Sequence, residues 1–170
     1  AGNLLACCEV LLDKDETHIK GFFLLLWQIR HQFDEWVVKW VQRDNSVEEQ
    51  LRLTSISHSQ SNINRTAKEL SGLVQLQAVR NFSGERSAQY WLTPLLAELV
   101  AKPDMDESQV LAILERLDNQ LSLTTETQKE ASFKLVQNGQ PELKSWEEQE
   151  KHFSESKGTS FEHYWFQKLE

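Results

Sequence analysis

Between residues 18 and 43, apolar side chains recur at steps of three and four: Ile19, Phe22, Leu26, Ile29, Phe33, Trp36 and Trp40. That spacing places them on one face of an α-helix. Phe23, Trp27, Val37 and Val41 form a second stripe beside the first. A helix so broadly apolar needs two or more neighbours to cover it. The pattern therefore predicts one long central helix, from about Glu16 to Arg43, wrapped by other helices.

The rest of the chain reads as shorter helices. Leu4, Leu5, Cys8, Leu11 and Leu12 predict a helix over Asn3–Leu12, broken by Asp13-Lys14-Asp15. Ser46 with Glu49 has the spacing of a capping box and predicts a helix from Val47 to about Ile56. The polar, Ser-rich stretch 55–62 is expected to be a mobile linker. Ile63, Ala67, Leu70 and Val74 predict a helix over Ile63–Val79, followed by a turn at Asn81–Arg86 with Gly84 at positive φ. Ser87 is placed to cap a helix carrying Tyr90, Trp91, Leu95, Leu96, Leu99 and Val100. Pro94 either kinks that helix or opens a new one with Thr93 as N-cap.

Asp106 with Gln109 should cap a helix striped by Val110, Ile113, Leu114, Leu117 and Leu121. Thr125 with Gln128 should cap the next, which ends at Asn138-Gly139 with glycine as C-cap. Pro141 is read as the first position of a further helix, Glu147–Glu150 as exposed helix, and Ser160 as the cap of an aromatic helix with Phe161, Tyr164, Trp165 and Leu169. No strand shows sustained alternation and no repeat has a fixed period. The expected fold class is all-α: an irregular bundle of about seven to nine helices around the long one.

Composition fits a single helical domain over residues 1–170. The chain is 39% hydrophobic, with six Trp and eight Phe for a core and only six Gly and three Pro. The sequence stops at Glu170 within a helical pattern, so a fragment of a larger protein is expected. No run approaches the roughly 20 apolar residues of a membrane span, and no secretory pattern opens the chain. Cys7 and Cys8 are adjacent, too strained a pair for an ordinary disulfide. Free thiols of this kind point to the cytoplasm and to buried apolar roles.

The net charge of −8 argues against a broad nucleic-acid face. One stretch departs from it. From Arg52 to Arg86 five basic residues (Arg52, Arg65, Lys68, Arg80, Arg86) face two acidic ones, Glu69 and Glu85. These five are the candidate phosphate or DNA contacts, against the simpler reading of a solvated face. Arg80 and Arg86 also flank a turn leading into a helix N-terminus, where an anion could sit.

Other chemistry is sparse. His31, Asp34 and Glu35 share a helix face and could supply two metal ligands, but no second pair completes a site, so a surface hydrogen bond is favoured. Ser55, Ser57 and Ser59 lie near His58 without an orienting carboxylate or a nucleophile elbow. Tyr90-Trp91 and Tyr164-Trp165 could stack bases, yet core or interface packing fits them better. No catalytic residue, cofactor or metal is expected.

Two segments carry a family resemblance. Asn81-Phe82-Ser83-Gly84-Glu85-Arg86-Ser87-Ala88-Gln89-Tyr90-Trp91-Leu92-Thr93-Pro94-Leu95-Leu96 is one, and Phe161-Glu162-His163-Tyr164-Trp165-Phe166-Gln167-Lys168-Leu169-Glu170 the other. Together these 26 residues resemble the helical middle of GmrSD-type bacterial proteins, which join a ParB-like nuclease/NTPase domain to an HNH-type nuclease domain and restrict modified phage DNA. The family's Asp-Gly-Gln-Gln-Arg and His-x-x-Pro-Gln motifs are both missing here, and His163 lacks the following proline. The resemblance thus implies a connector without either active site. Its partners would be the flanking nuclease domains, and any contact to DNA would fall to the five basic residues. An unrelated cytoplasmic helical adaptor is the alternative.

Overall fold

The computed structural model describes residues 14–42, 48–59, 62–82, 89–155 and 163–169. Among them lie seven helices and four strands. Helix α1 is Glu16–Trp36. Strands β1 (Lys39–Gln42), β2 (Glu49–Arg52), β3 (Thr54–Ser59) and β4 (Asn62–Ala67) follow. Then come α2 (Gly72–Phe82), α3 (Leu92–Ala101), α4 (Glu107–Ser122), α5 (Gln128–Val136), α6 (Trp146–Ser154) and α7 (His163–Leu169). The strands form two antiparallel hairpins, β1–β2 and β3–β4. The fold is therefore mixed α/β with helices dominant, and the all-α expectation is overturned.

The correction begins at Val37. Helix α1 starts where the sequence places it, with the Asp15 carboxylate accepting from the His18 amide at 2.9 Å. It ends seven residues short of Arg43. Val37 is extended (φ −101°, ψ 131°), and β1 runs from Lys39. The helix-period reading failed here because Trp36-Val37-Val38-Lys39-Trp40-Val41 also suits a strand, being rich in β-branched and aromatic side chains. A distant residue meets the needs of the switch. Gln77 of α2, fully buried, accepts from the Val38 amide at 3.0 Å and donates to the Trp36 carbonyl at 2.7 Å. Lys39 Nζ reaches the carbonyls of Phe33, Asp34 and Val37 at 2.8–3.2 Å, closing the helix end.

Three further expectations fail in the same region. The Glu49–Ile56 part of the predicted helix is β2 and the start of β3. The expected linker 55–62 is mostly the β3–β4 hairpin, paired Thr54↔Ala67 through Ser59↔Asn62. The helix predicted from Ile63 starts only at Gly72, after β4. The Ser-rich strands lack apolar alternation because most of their residues are exposed; cross-strand pairing specifies them, not a buried face.

The C-terminal half follows local rules more closely. Asp106 and Gln109 form the capping box of α4, and Val110, Leu114, Leu117 and Leu121 of its stripe are buried. Helix α3 starts at Leu92, so Pro94 is its third residue, where no amide partner is needed. The α5 box is Thr127 with Glu130, two residues later than predicted. At its end Asn138, not Gly139, takes positive φ (59°). Pro141 opens no helix; α6 starts at Trp146 with Ser145 and Glu148 as its capping box. The core joins Trp36 and Leu53 to α2, α3, α4 and Ala131 of α5. The Asn3–Leu12 helix, Cys7, Cys8, Ser46, Gly84, Arg86, Ser87 and Ser160 lie outside the described residues.

Candidate functional site

Among the described residues, helix α1 is covered only towards its C-terminal end, where it packs against α3 and β3. Its buried residues are Gln32, Asp34 and Trp36. Phe23, Leu24, Leu25, Leu26 and Trp27 are all exposed, with Phe23 at 63% and Trp27 at 73%. The expectation of a central helix buried along its length is thus corrected. Five consecutive residues wind through more than the roughly 3.6 of one turn, so this stretch is apolar on every side. A helix of that kind is normally enclosed, which makes the segment a candidate docking surface.

Where the exposed stretch approaches the hairpins, a groove of about 510 Å³ opens. One face of α1 from Trp27 to Glu35, residues 54–56 of β3, and Lys68 line it. Its charge centre is Asp34. Arg30 Nε donates to Asp34 Oδ2 at 2.6 Å, and Arg65 and Lys39 lie 3.6 and 3.9 Å from Oδ1. Burial works to raise the Asp34 carboxyl, but the Arg30 hydrogen bond and the three cations outweigh it, so it titrates below the ordinary range. Burial pulls Lys39 down, only partly offset by Asp34. Asp34 is therefore occupied by cations. His31 stays exposed, and among the described residues no three His, Cys, Asp or Glu side chains are placed to hold a metal ion.

Of the four basic candidates among the described residues, Arg52 and Lys68 line one small cleft beside Glu69, and Arg80 stands apart from them. Arg65 faces Asp34, half-exposed. Lys68 lies over the Trp36 ring, 5.2 Å from its centroid. Arg52 donates to the Leu51 carbonyl and to Gln50 Oε1 on its own strand. Arg80 is buried in a different part of the molecule, and Arg86 lies outside the described residues. Ser55, Ser57 and Ser59 are exposed on β3, which also carries His58.

The second polar cluster surrounds Asp118, which is 1% exposed. Arg80 of α2 pairs its Nε with Asp118 Oδ1. Its Nη2 donates to the Asp118 carbonyl at 2.6 Å and to Ser122 Oγ at 2.7 Å. From α7, Tyr164 donates its hydroxyl to the carboxylate at 2.8–2.9 Å, and Lys168 Nζ sits 2.5 Å from Oδ2. Burial raises the Tyr164 hydroxyl above its usual range, against the opposing pull of Arg80. Burial works against the Lys168 charge, but its bond to Asp118 prevails and raises its titration. The cluster ties α2, α4 and α7 together. Sequence reading passed over Asp118, although a signal existed: a carboxylate at i+4 from Leu114, inside an apolar stripe. Trp91 and Tyr164 are both buried, as packing aromatics.

No protein family, curated protein or solved structure matches this chain. Among the described residues, no helix is long and apolar enough to cross a membrane.

Proposed function

We propose that this chain is an interaction and spacer module that docks on protein partners through the apolar first half of α1. The observation that carries the reading is the exposed run Phe23–Trp27, which water solvates poorly on every side. Helix-in-groove recognition uses an apolar helix of this kind. The two segments that resemble the middle of GmrSD-type restriction proteins supply the setting: a cytoplasmic connector between a ParB-like and an HNH-type nuclease domain. On this reading the connector holds those domains and leaves cleavage to them. The burial of Arg80 and the pairing of Arg65 with Asp34 favour protein docking over DNA contact as the main role. An unrelated adaptor would use the same face on a different protein.

The test uses the neighbouring segments of the same reading frame, expressed separately. The chain should capture them, and Phe23→Glu or Trp27→Glu should weaken capture without changing the chain's own circular dichroism. Neither substitution removes a buried contact. A chain that captures nothing, or whose capture ignores both substitutions, defeats the proposal. Robust cutting of modified DNA by the isolated chain would defeat the connector role.

A further inference from the structure

The docking reading leaves the occupant open, and the charges beside the apolar run narrow it. Glu16, Phe23, Trp27 and Arg30 lie within about 60° of one another around α1 at roughly 100° per residue. Along that face the order is acid at Glu16, base at Lys20, the rings of Phe23 and Trp27, then base at Arg30. All three charged side chains extend into solvent, at 80%, 74% and 62% exposed. We infer that the face binds a second copy of this chain, α1 packing antiparallel on α1 across a two-fold axis at Phe23. The inference rests on the docking reading and names its partner.

Three arrangements of two such helices can be compared. In a parallel, in-register pair Glu16 meets Glu16, Lys20 meets Lys20 and Arg30 meets Arg30, which is repulsive throughout. An antiparallel pair centred at Leu25 sets Lys20 against Arg30 at both ends, again like against like. Centred at Phe23, residue n meets residue 46 − n by position (16 + 30 = 46). Glu16 then faces Arg30 of the copy at both ends, Ile19 comes beside Trp27, and Phe23 meets itself on the axis. Only this register of the three pairs opposite charges at its ends and keeps Lys20 beside an apolar residue, Leu26, along which its stem can lie. The interface is isologous, so each contact occurs twice. Opposite charges at the rim select this register, while the rings supply the buried area.

Sedimentation equilibrium on the whole chain tests the inference. The unmodified chain should show a concentration-dependent dimer. Phe23→Glu, which puts two carboxylates on the axis, should leave a monomer of unchanged circular dichroism. Glu16→Arg and Arg30→Glu should each weaken the dimer by about tenfold, because each creates two like-charge contacts. Combined in one chain they should restore it to within about twofold of the original, even though the double variant loses the Glu16–Lys20 and Arg30–Asp34 pairs within each copy. A double variant no better than the singles overturns the register. A chain that stays monomeric at millimolar concentration overturns the second copy as occupant. If that monomer still captures neighbouring segments through Phe23, the docking reading survives alone; if it captures nothing, both fall.

Discussion

Asp118 shows how one carboxylate can join three helices. A buried charge is costly unless each lone pair is met, and here Arg80, Tyr164 and Lys168 meet them from α2 and α7. Asp118→Ala would remove the buried carboxylate that Arg80, Tyr164 and Lys168 all meet. Urea unfolding should then show a loss of about 3–5 kcal/mol. The same cluster sets an alkaline limit. Tyr164 and Lys168 both hold their protons more tightly when folded than at their ordinary values of 10.0 and 10.5. Their contribution is complete below those values and disappears as pH rises through the higher folded ones. Stability should therefore fall with pH above 10.0, and Tyr164→Phe should flatten the first part of that fall in denaturation curves measured across the range.

Among the elements, those set by neighbours in sequence were the most legible. The Asp106–Gln109 box and the stripe of α4 need only local spacing, and both formed as the sequence implies. The end of α5 was nearly legible. Gly139 donates its amide to the Lys134 carbonyl at 2.8 Å, and a Cβ on it would stand 3.2 Å from that oxygen. The left-handed position belongs to Asn138 instead, one residue earlier. Asn tolerates that region better than other side chains. Asn138→Ala should cost about 1 kcal/mol in thermal or chemical unfolding, whereas Asn138→Gly should cost nothing. Equal losses in the two variants would mean that backbone strain at residue 138 is not what the asparagine relieves.

For the molecule as a whole, the division between covered and uncovered apolar surface matters most. Leu114 is fully buried and Leu24 is 60% exposed, although both sit in strongly apolar helical stretches. Leu114→Ala should lower stability by about 2–5 kcal/mol, since it opens a cavity. Leu24→Ala should leave stability nearly unchanged, as measured by the same unfolding curves, while weakening association. The candidate site was legible only in part. Sequence periodicity found the apolar helix, but it placed that helix at the centre of the fold and spread the basic residues over one patch. The structure leaves half the helix open and separates Arg80 from Arg65 and Lys68.

The sequence by itself determined what a few adjacent residues can settle: the start of α1 near Glu16, the capped start and apolar stripe of α4, and the exposed acidic run Glu147–Glu150 in α6. Tertiary structure decided where α1 gives way to β1, because Gln77, 39 residues beyond Val38, meets the backbone groups at that junction. It also decided that the Ser-rich stretch is a hairpin, since cross-strand hydrogen bonds rather than a buried apolar face hold it. Burial depends on which groups arrive from far along the chain, and periodicity records only that a face is apolar.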